Sequence, residues 1–166
     1  MAVTHKLIQT ISVTAGAGQA SIEFTSIPQT YTDLKIVLSV RSTSAATSLD
    51  VAFNGSTASF TNKFLQSSGS AVSSGSLARY AGLVTGTDQT AIVFANCEIY
   101  IPNYSGSTNK SFSGDAVQEN NGTYSYASIV ANLWSNTAAI TQITFTNTTG
   151  NLAQYSSASL YGILKS

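Results

Sequence analysis

Catalysis needs a nucleophile, a proton carrier, a set of metal ligands or a charged pair, and this chain offers few of each. His5 is the only histidine and Cys97 the only cysteine. A catalytic triad needs a histidine held rigidly by a partner, and His5 sits near the start of the chain on an alternating run. Cys97 lies in an apolar run over residues 92–101 and reads as a small buried hydrophobe. With a single cysteine no disulfide forms within the chain, and zinc finds no thiol or histidine cluster. The acids are Glu23, Asp33, Asp50, Asp88, Glu98, Asp115 and Glu119. Two such carboxylates, Glu98 and Asp115 for example, are what a glycosidase pair requires. Most of these acids, however, alternate with apolar residues or open a strand, which reads as a solvated sheet face. Asp33 and Asp88 have the neighbours of turn residues. There is no Asp-x-Asp-x-Asp-Gly calcium loop and no Gly-x-Ser-x-Gly elbow. Gly16-Ala17-Gly18 does not open a helix, so it is no phosphate cradle. The expectation is a protein without catalytic residues, metal or cofactor.

Tyrosine is the other chemically useful side chain. Tyr31, Tyr80, Tyr100, Tyr104, Tyr124, Tyr126, Tyr155 and Tyr161 accompany a lone Trp134. Exposed aromatics on a β-sandwich stack on sugars, and Asn120-Asn121-Gly122-Thr123-Tyr124-Ser125-Tyr126 is the best such cluster. The competing reading is that these rings fill a core or a subunit interface, each hydroxyl reaching a polar partner.

Composition excludes more than it names. Of 166 residues, 43% are hydrophobic and 8% charged, with seven basic and seven acidic side chains. Serine (26) and threonine (21) take the place of charge. So few lysines and arginines cannot neutralise many phosphates, so nucleic acid is not an expected partner. No stretch approaches the length of apolar residues that spans a bilayer, so no membrane is expected. The start of the chain has no long apolar core or cleavage site, which points to synthesis in a reducing cytoplasm. Five Asn-x-Ser/Thr sequons, at Asn54, Asn103, Asn109, Asn121 and Asn147, follow from composition. A neutral Ser/Thr surface suits a protein packed against copies of itself or a larger assembly.

The elements that must hold these residues are strands. Ala20, Ile22 and Phe24 alternate with Ser21 and Glu23, and Leu34, Ile36, Leu38 and Val40 alternate with Lys35, Val37, Ser39 and Arg41. Leu49, Val51 and Phe53 alternate with Asp50, Ala52 and Asn54. Side chains on a strand point to opposite faces in turn, so each run lays one apolar face on a core. Residues 3–13, 90–101, 110–118, 124–134, 140–146 and 158–165 give further strands. No window carries a 3.6-residue period with caps, although residues 57–65 leave room for a short helical turn. Asn54-Gly55 and Asn121-Gly122 mark tight turns. Pro28 and Pro102 fall at strand ends, where a missing N–H is tolerated. Residues 67–76, almost all Ser and Gly, read as a mobile surface loop.

Eight to ten antiparallel strands with uneven loops predict an all-β fold, a single jelly-roll β-sandwich over residues 1–166. Residues 1–13 are either an edge strand of that domain or an arm that adds to a neighbour's sheet.

Two segments carry a family resemblance. One is Ile22-Glu23-Phe24-Thr25-Ser26-Ile27-Pro28-Gln29-Thr30-Tyr31-Thr32-Asp33-Leu34, where a strand ends at Phe and an Ile-Pro loop leads to an apolar strand. The other is Gln154-Tyr155-Ser156-Ser157-Ala158-Ser159-Leu160-Tyr161-Gly162-Ile163, with an Ala-x-Leu-Tyr-Gly pattern. Together they resemble virion structural proteins of tailed bacteriophages; residues 42–130 lie outside the resemblance. It implies a jelly-roll, non-enzymatic capsid decoration (cement) protein on the outer capsid surface, made in the host bacterial cytoplasm. The partners it implies are the phage major capsid protein and further copies of the chain, as a homotrimer. The alternative it leaves is a tail fibre or baseplate component that binds host surface glycans.

Overall fold

A computed structural model describes residues 4–122 and 125–164. Those residues form twelve strands and no helix. In chain order they are β1 (His5–Ser12), β2 (Ser21–Phe24), β3 (Asp33–Val40), β4 (Thr47–Phe53), β5 (Phe60–Ser67) and β6 (Val72–Gly75), then β7 (Tyr80–Val84), β8 (Ala95–Ile101), β9 (Lys110–Val117), β10 (Ala127–Trp134), β11 (Ile143–Asn147) and β12 (Ser157–Ile163). Eight make one sheet in the order β1-β12-β3-β8-β9-β10-β5-β6, and four make a second in the order β2-β11-β4-β7. Every neighbouring pair is antiparallel. The chain is all-β, a sandwich of two antiparallel sheets.

The alternating runs explain the core. On β3, Leu34, Ile36, Leu38 and Val40 are buried while the residues between them are half-buried or exposed. Ile22 and Phe24 from β2, Val51 and Phe53 from β4 and Phe145 from β11 meet them from the small sheet in one continuous cluster. At one end Phe53 packs edge-on against Trp134, with ring centroids 5.4 Å apart, and touches Phe60 and Phe112. Apolar burial on this scale is what drives two sheets together. Cys97 belongs to this core. It is fully buried, its thiol donates to the Leu83 carbonyl at 3.3 Å, and burial pushes its pKa up to about 12.

The strand count exceeds the expected eight to ten, and three strands account for the difference. No helical turn occupies residues 57–65; most of that segment is β5. The segment read as a mobile Ser/Gly loop contains β6, whose Val72–Gly75 pairs with Phe64–Ser67. The third is β7, which lacks a polar alternation because four of its five residues are buried.

Two segments that carry the family resemblance meet in space. Tyr31 lies against Gly162, filling the place where a side chain would stand. Thr32 N–H donates to the Ile163 carbonyl at 2.9 Å. Ala158, Leu160 and Gly162 face inward while Tyr161 faces out, so the Ala-x-Leu-Tyr-Gly pattern is a strand with one buried face. The Tyr104 hydroxyl donates to the Pro28 carbonyl, and the Gln29 amide donates to the Ile27 and Ile140 carbonyls at 2.8 and 3.0 Å.

Asn54 and Gly55 both take positive φ, 52° and 71°, and Ser56 N–H closes the turn on the Phe53 carbonyl at 2.8 Å. That is the geometry Asn-Gly favours. Here the turn does not join hairpin partners: it sends the chain from β4 in the small sheet to β5 in the large one. Asn54 Oδ1 accepts from Thr141 and Gln142 N–H at 2.8 and 3.1 Å, so the turn is tied to the β10–β11 connection.

Candidate functional site

The large sheet outgrows the small one. Past β8 it continues through β9, β10, β5 and β6, and β7 is the small-sheet strand that packs over β8, β9 and β10. Two surfaces of this extension, one on each face, are candidates for binding.

The outer face follows from the register. One row runs Val37, Glu98, Asp115, Ile129, Leu65 across five adjacent strands. The next runs Asn96, Val117, Ala127, Ser67, Val72. Ile129 is 65% exposed, Leu65 51%, Val72 70% and Val117 46%. With Ala127 they line a shallow, almost wholly apolar groove of about 350 Å³. Isolated exposed hydrophobes are ordinary, but a contiguous apolar patch marks a contact surface.

The carboxylate pair weighed from sequence stands at the border of this patch. Glu98 and Asp115 lie directly opposite each other on β8 and β9. Lys35 Nζ reaches Glu98 Oε1 at 2.8 Å. Among the described residues the Asp115 carboxylate forms no ion pair or hydrogen bond, and its pKa is raised by burial and by Glu98, with Lys35 pulling the other way. Asp115 borders the apolar groove, while Glu98 is occupied by Lys35.

The other acids are spread out in structural roles. Asp33 accepts from the Tyr100 hydroxyl at 2.6 Å and from Asn103 N–H at 2.9 Å. Asp50 pairs with Arg79 at 2.8 Å, Glu23 accepts from the Gln142 amide, and Glu119 accepts from Asn121 N–H at 2.7 Å. His5 is exposed on β1, its ring sharing a 3.3 Å hydrogen bond with the neighbouring Thr4 hydroxyl. Among the described residues no three His, Cys, Asp or Glu side chains gather at one point.

The inner face of the extension forms the second surface. Between β5 and the small-sheet strands β7 and the start of β4 the sheets part into a cleft of about 420 Å³. Its walls include Phe64 and Gln66 from β5, Tyr80 and Leu83 from β7, Gln118 just past β9, Tyr126 just before β10, and Asp88. Phe64 meets Tyr80 edge-on at 5.4 Å. The Tyr80 hydroxyl shares a 3.4 Å hydrogen bond with Ser128, and burial pushes its pKa up to about 12. Asp88 is held by its loop: its Oδ1 accepts from Ala46 N–H at 2.6 Å. Arg41 fixes that loop by donating to the carbonyls of Gly86 (2.6 Å), Val93 (2.7 Å) and Thr90 (3.0 Å). Gln118 is 2% exposed, yet its side-chain amide makes no hydrogen bond among the described residues.

Sequence reasoning did not single out Gln66 or Gln118. The signal was available: Phe112, Gly114, Ala116 and Gln118 fall on one face of β9 and its continuation, and all are buried. Of the cluster proposed for sugar, Tyr126 lines the cleft. Asn120 is buried, its amide donating to the Gln118 carbonyl at 3.1 Å. Thr123 and Tyr124 lie outside the described residues.

Fold and surfaces define the class: an all-β, two-sheet domain whose large sheet is extended at one edge to present an apolar outer patch and an inner cleft. No protein-family model matches the chain. No curated protein sequence matches it either.

Proposed function

We propose that this chain is a non-enzymatic structural protein of a tailed-bacteriophage virion, a capsid decoration protein that binds the outer surface of the assembled shell as a homotrimer. The observation that carries the reading is the exposed apolar patch of Leu65, Val72, Val117 and Ile129. A small apolar ligand needs a concave, enclosing pocket. This patch is a shallow, open groove along a strand ladder and does not enclose a ligand, which fits a protein surface instead. The rest of the exterior is neutral and rich in Ser, Thr and Asn, which favours wet contacts without repulsion between copies.

The fold proposed with it is a jelly roll, and the strand order supports that. Without the extension strands β9, β10, β5 and β6, the large sheet reads β1-β12-β3-β8 and the small sheet β2-β11-β4-β7. Among these eight, the chain changes sheet at every step except from β4 to β7. That is the interleaving of two Greek keys.

A decoration protein acts by linkage. It binds the lattice and not free subunits, so occupancy shifts the balance toward the intact shell, and three-fold copies add multivalency. The test is light scattering for mass, then sedimentation with expanded empty shells. A trimer that pellets with shells and raises their melting temperature is expected. Ile129→Asp and Leu65→Asp should abolish pelleting while leaving the domain's own melting nearly unchanged, since both side chains are exposed. A folded protein that ignores shells overturns the reading and moves it to the tail.

A further inference from the structure

We infer that the inter-sheet cleft is a binding site for a neutral saccharide. This goes beyond the shell-binding reading and uses the opposite face of the extension. The cleft's volume, about 420 Å³, lies within the span of small-molecule sites, about 300–1,000 Å³. Its chemistry narrows the ligand class. Phe64 and Tyr126 offer half-buried ring faces, which suit the C–H face of a sugar ring.

The polar groups suit hydroxyls. Gln118 and Gln66 each bring an amide that both donates and accepts, and neither makes a hydrogen bond with its side chain among the described residues. Vicinal hydroxyls also donate and accept, so an amide matches a pair of them. The polar atoms of both amides remain in reach of solvent, so a bound hydroxyl pair would take the place of water on them. Asp88 accepts from Ala46 through one carboxylate oxygen, and among the described residues no donor occupies its Oδ2. That oxygen is free to take a further hydroxyl.

Charge sets the limit. Among the described residues no lysine or arginine lines the cleft. A phosphorylated, sulfated or carboxylated ligand would therefore meet only Asp88 and be repelled. A lipid tail would leave both amides unsatisfied.

The experiment is titration calorimetry of the full chain against the trisaccharides of glucose, mannose, galactose and N-acetylglucosamine, with a sulfated trisaccharide as the anionic arm. Binding of at least one neutral member at millimolar concentration or better is expected. Gln118→Leu, close in shape, should weaken it roughly tenfold, the loss of one buried hydrogen-bonded group. Tyr126→Ala serves as the second variant should Gln118→Leu fail to fold, and should also weaken binding. Ile129→Asp, on the outer face, should leave binding unchanged. The inference is overturned if no neutral sugar binds, if the sulfated one binds better, or if sugar binding survives both cleft variants. Shell sedimentation is read separately, so either proposal can fail without the other.

Discussion

Replacing Gly162 by alanine probes the contact between the two segments that carry the family resemblance. A Cβ at Gly162 would stand 2.3–2.5 Å from three atoms of the Tyr31 ring. Carbon atoms pack best at about 3.5–4.0 Å, so the ring must swing away or β12 must shift. Overpacking of this kind costs about 1–3 kcal/mol. Alanine returns roughly 0.5–1 kcal/mol, because glycine loses more chain entropy on folding. Contacts this short belong in the upper half of the overpacking cost, about 2–3 kcal/mol. The net loss is about 1–2.5 kcal/mol, which lowers Tm by about 2–10 °C in a domain of this size. Urea and thermal melts followed by circular dichroism measure it directly. The double variant with Tyr31→Ala isolates the cause: without the ring, Gly162→Ala should cost nothing or stabilise slightly, a coupling of about 1–3 kcal/mol. If Gly162→Ala is as stable as the parent, or its cost is the same with and without the Tyr31 ring, the packing argument is wrong.

Two further outcomes are expected. Lys110 is 1% exposed, and its ammonium donates to the carbonyls of Gly106 (2.8 Å), Thr108 (2.5 Å) and Thr137 (3.5 Å). Lys110→Met should cost about 1–3 kcal/mol and speed amide exchange across residues 102–109, read by mass spectrometry. Burial and Glu98 raise the folded Asp115 pKa above its ordinary 3.8. In that window the native state holds a proton that the unfolded chain has released, so stability falls as pH rises through it. Asp115→Asn removes the loss. The variant should exceed the parent near neutral pH by about 0.2–0.5 kcal/mol in low salt, as suits an exposed pair. The gap should close below pH 3.8 and in high salt.

Most of the framework could be read from alternation alone. The runs around β2, β3, β4, β8, β11 and β12 each turn an apolar face to the core, and a period of two is enough to find them. On β9 and β10, where Lys110, Ser128 and Asn132 share the buried face, the alternation itself still marks the strand. The strands that escaped notice break that rule for physical reasons. On β5 the inward positions are Phe60, Asn62, Phe64 and Gln66, so amides interrupt the apolar face. Asn62 is buried because its Oδ1 takes the Leu77 N–H at 2.8 Å, a contact invisible along the chain. On β6, Val-Ser-Ser-Gly has little strand preference, and only the ladder to β5 makes it one. On β7, although it is the edge of the small sheet, four of five residues are buried, so no polar residue marks an outside. The candidate surfaces were less legible for the same reason, because both are built on β5. Ile129 and Leu65 become a patch only once β10 and β5 pair. Gln66 and Gln118 become a cleft only once β7 lies across from them. Tyr126 was visible because a tyrosine after Asn-Gly stands out in any sequence.

The position of β12 has a consequence for the order of events in folding. It lies between β1 and β3, with His5 opposite Ile163 and Leu164 N–H reaching the Thr4 carbonyl at 3.0 Å. Of the strands described, the last to leave a ribosome is therefore the one that joins the first to the rest of its sheet. Until it arrives, β1 has no partner and the flank of β3 stays open. Contacts between residues so far apart in sequence form slowly, after the entropy of closing a chain-length loop has been met. Emergence of β12 thus acts as a late checkpoint, and a truncated chain is left with open strand edges instead of a finished domain.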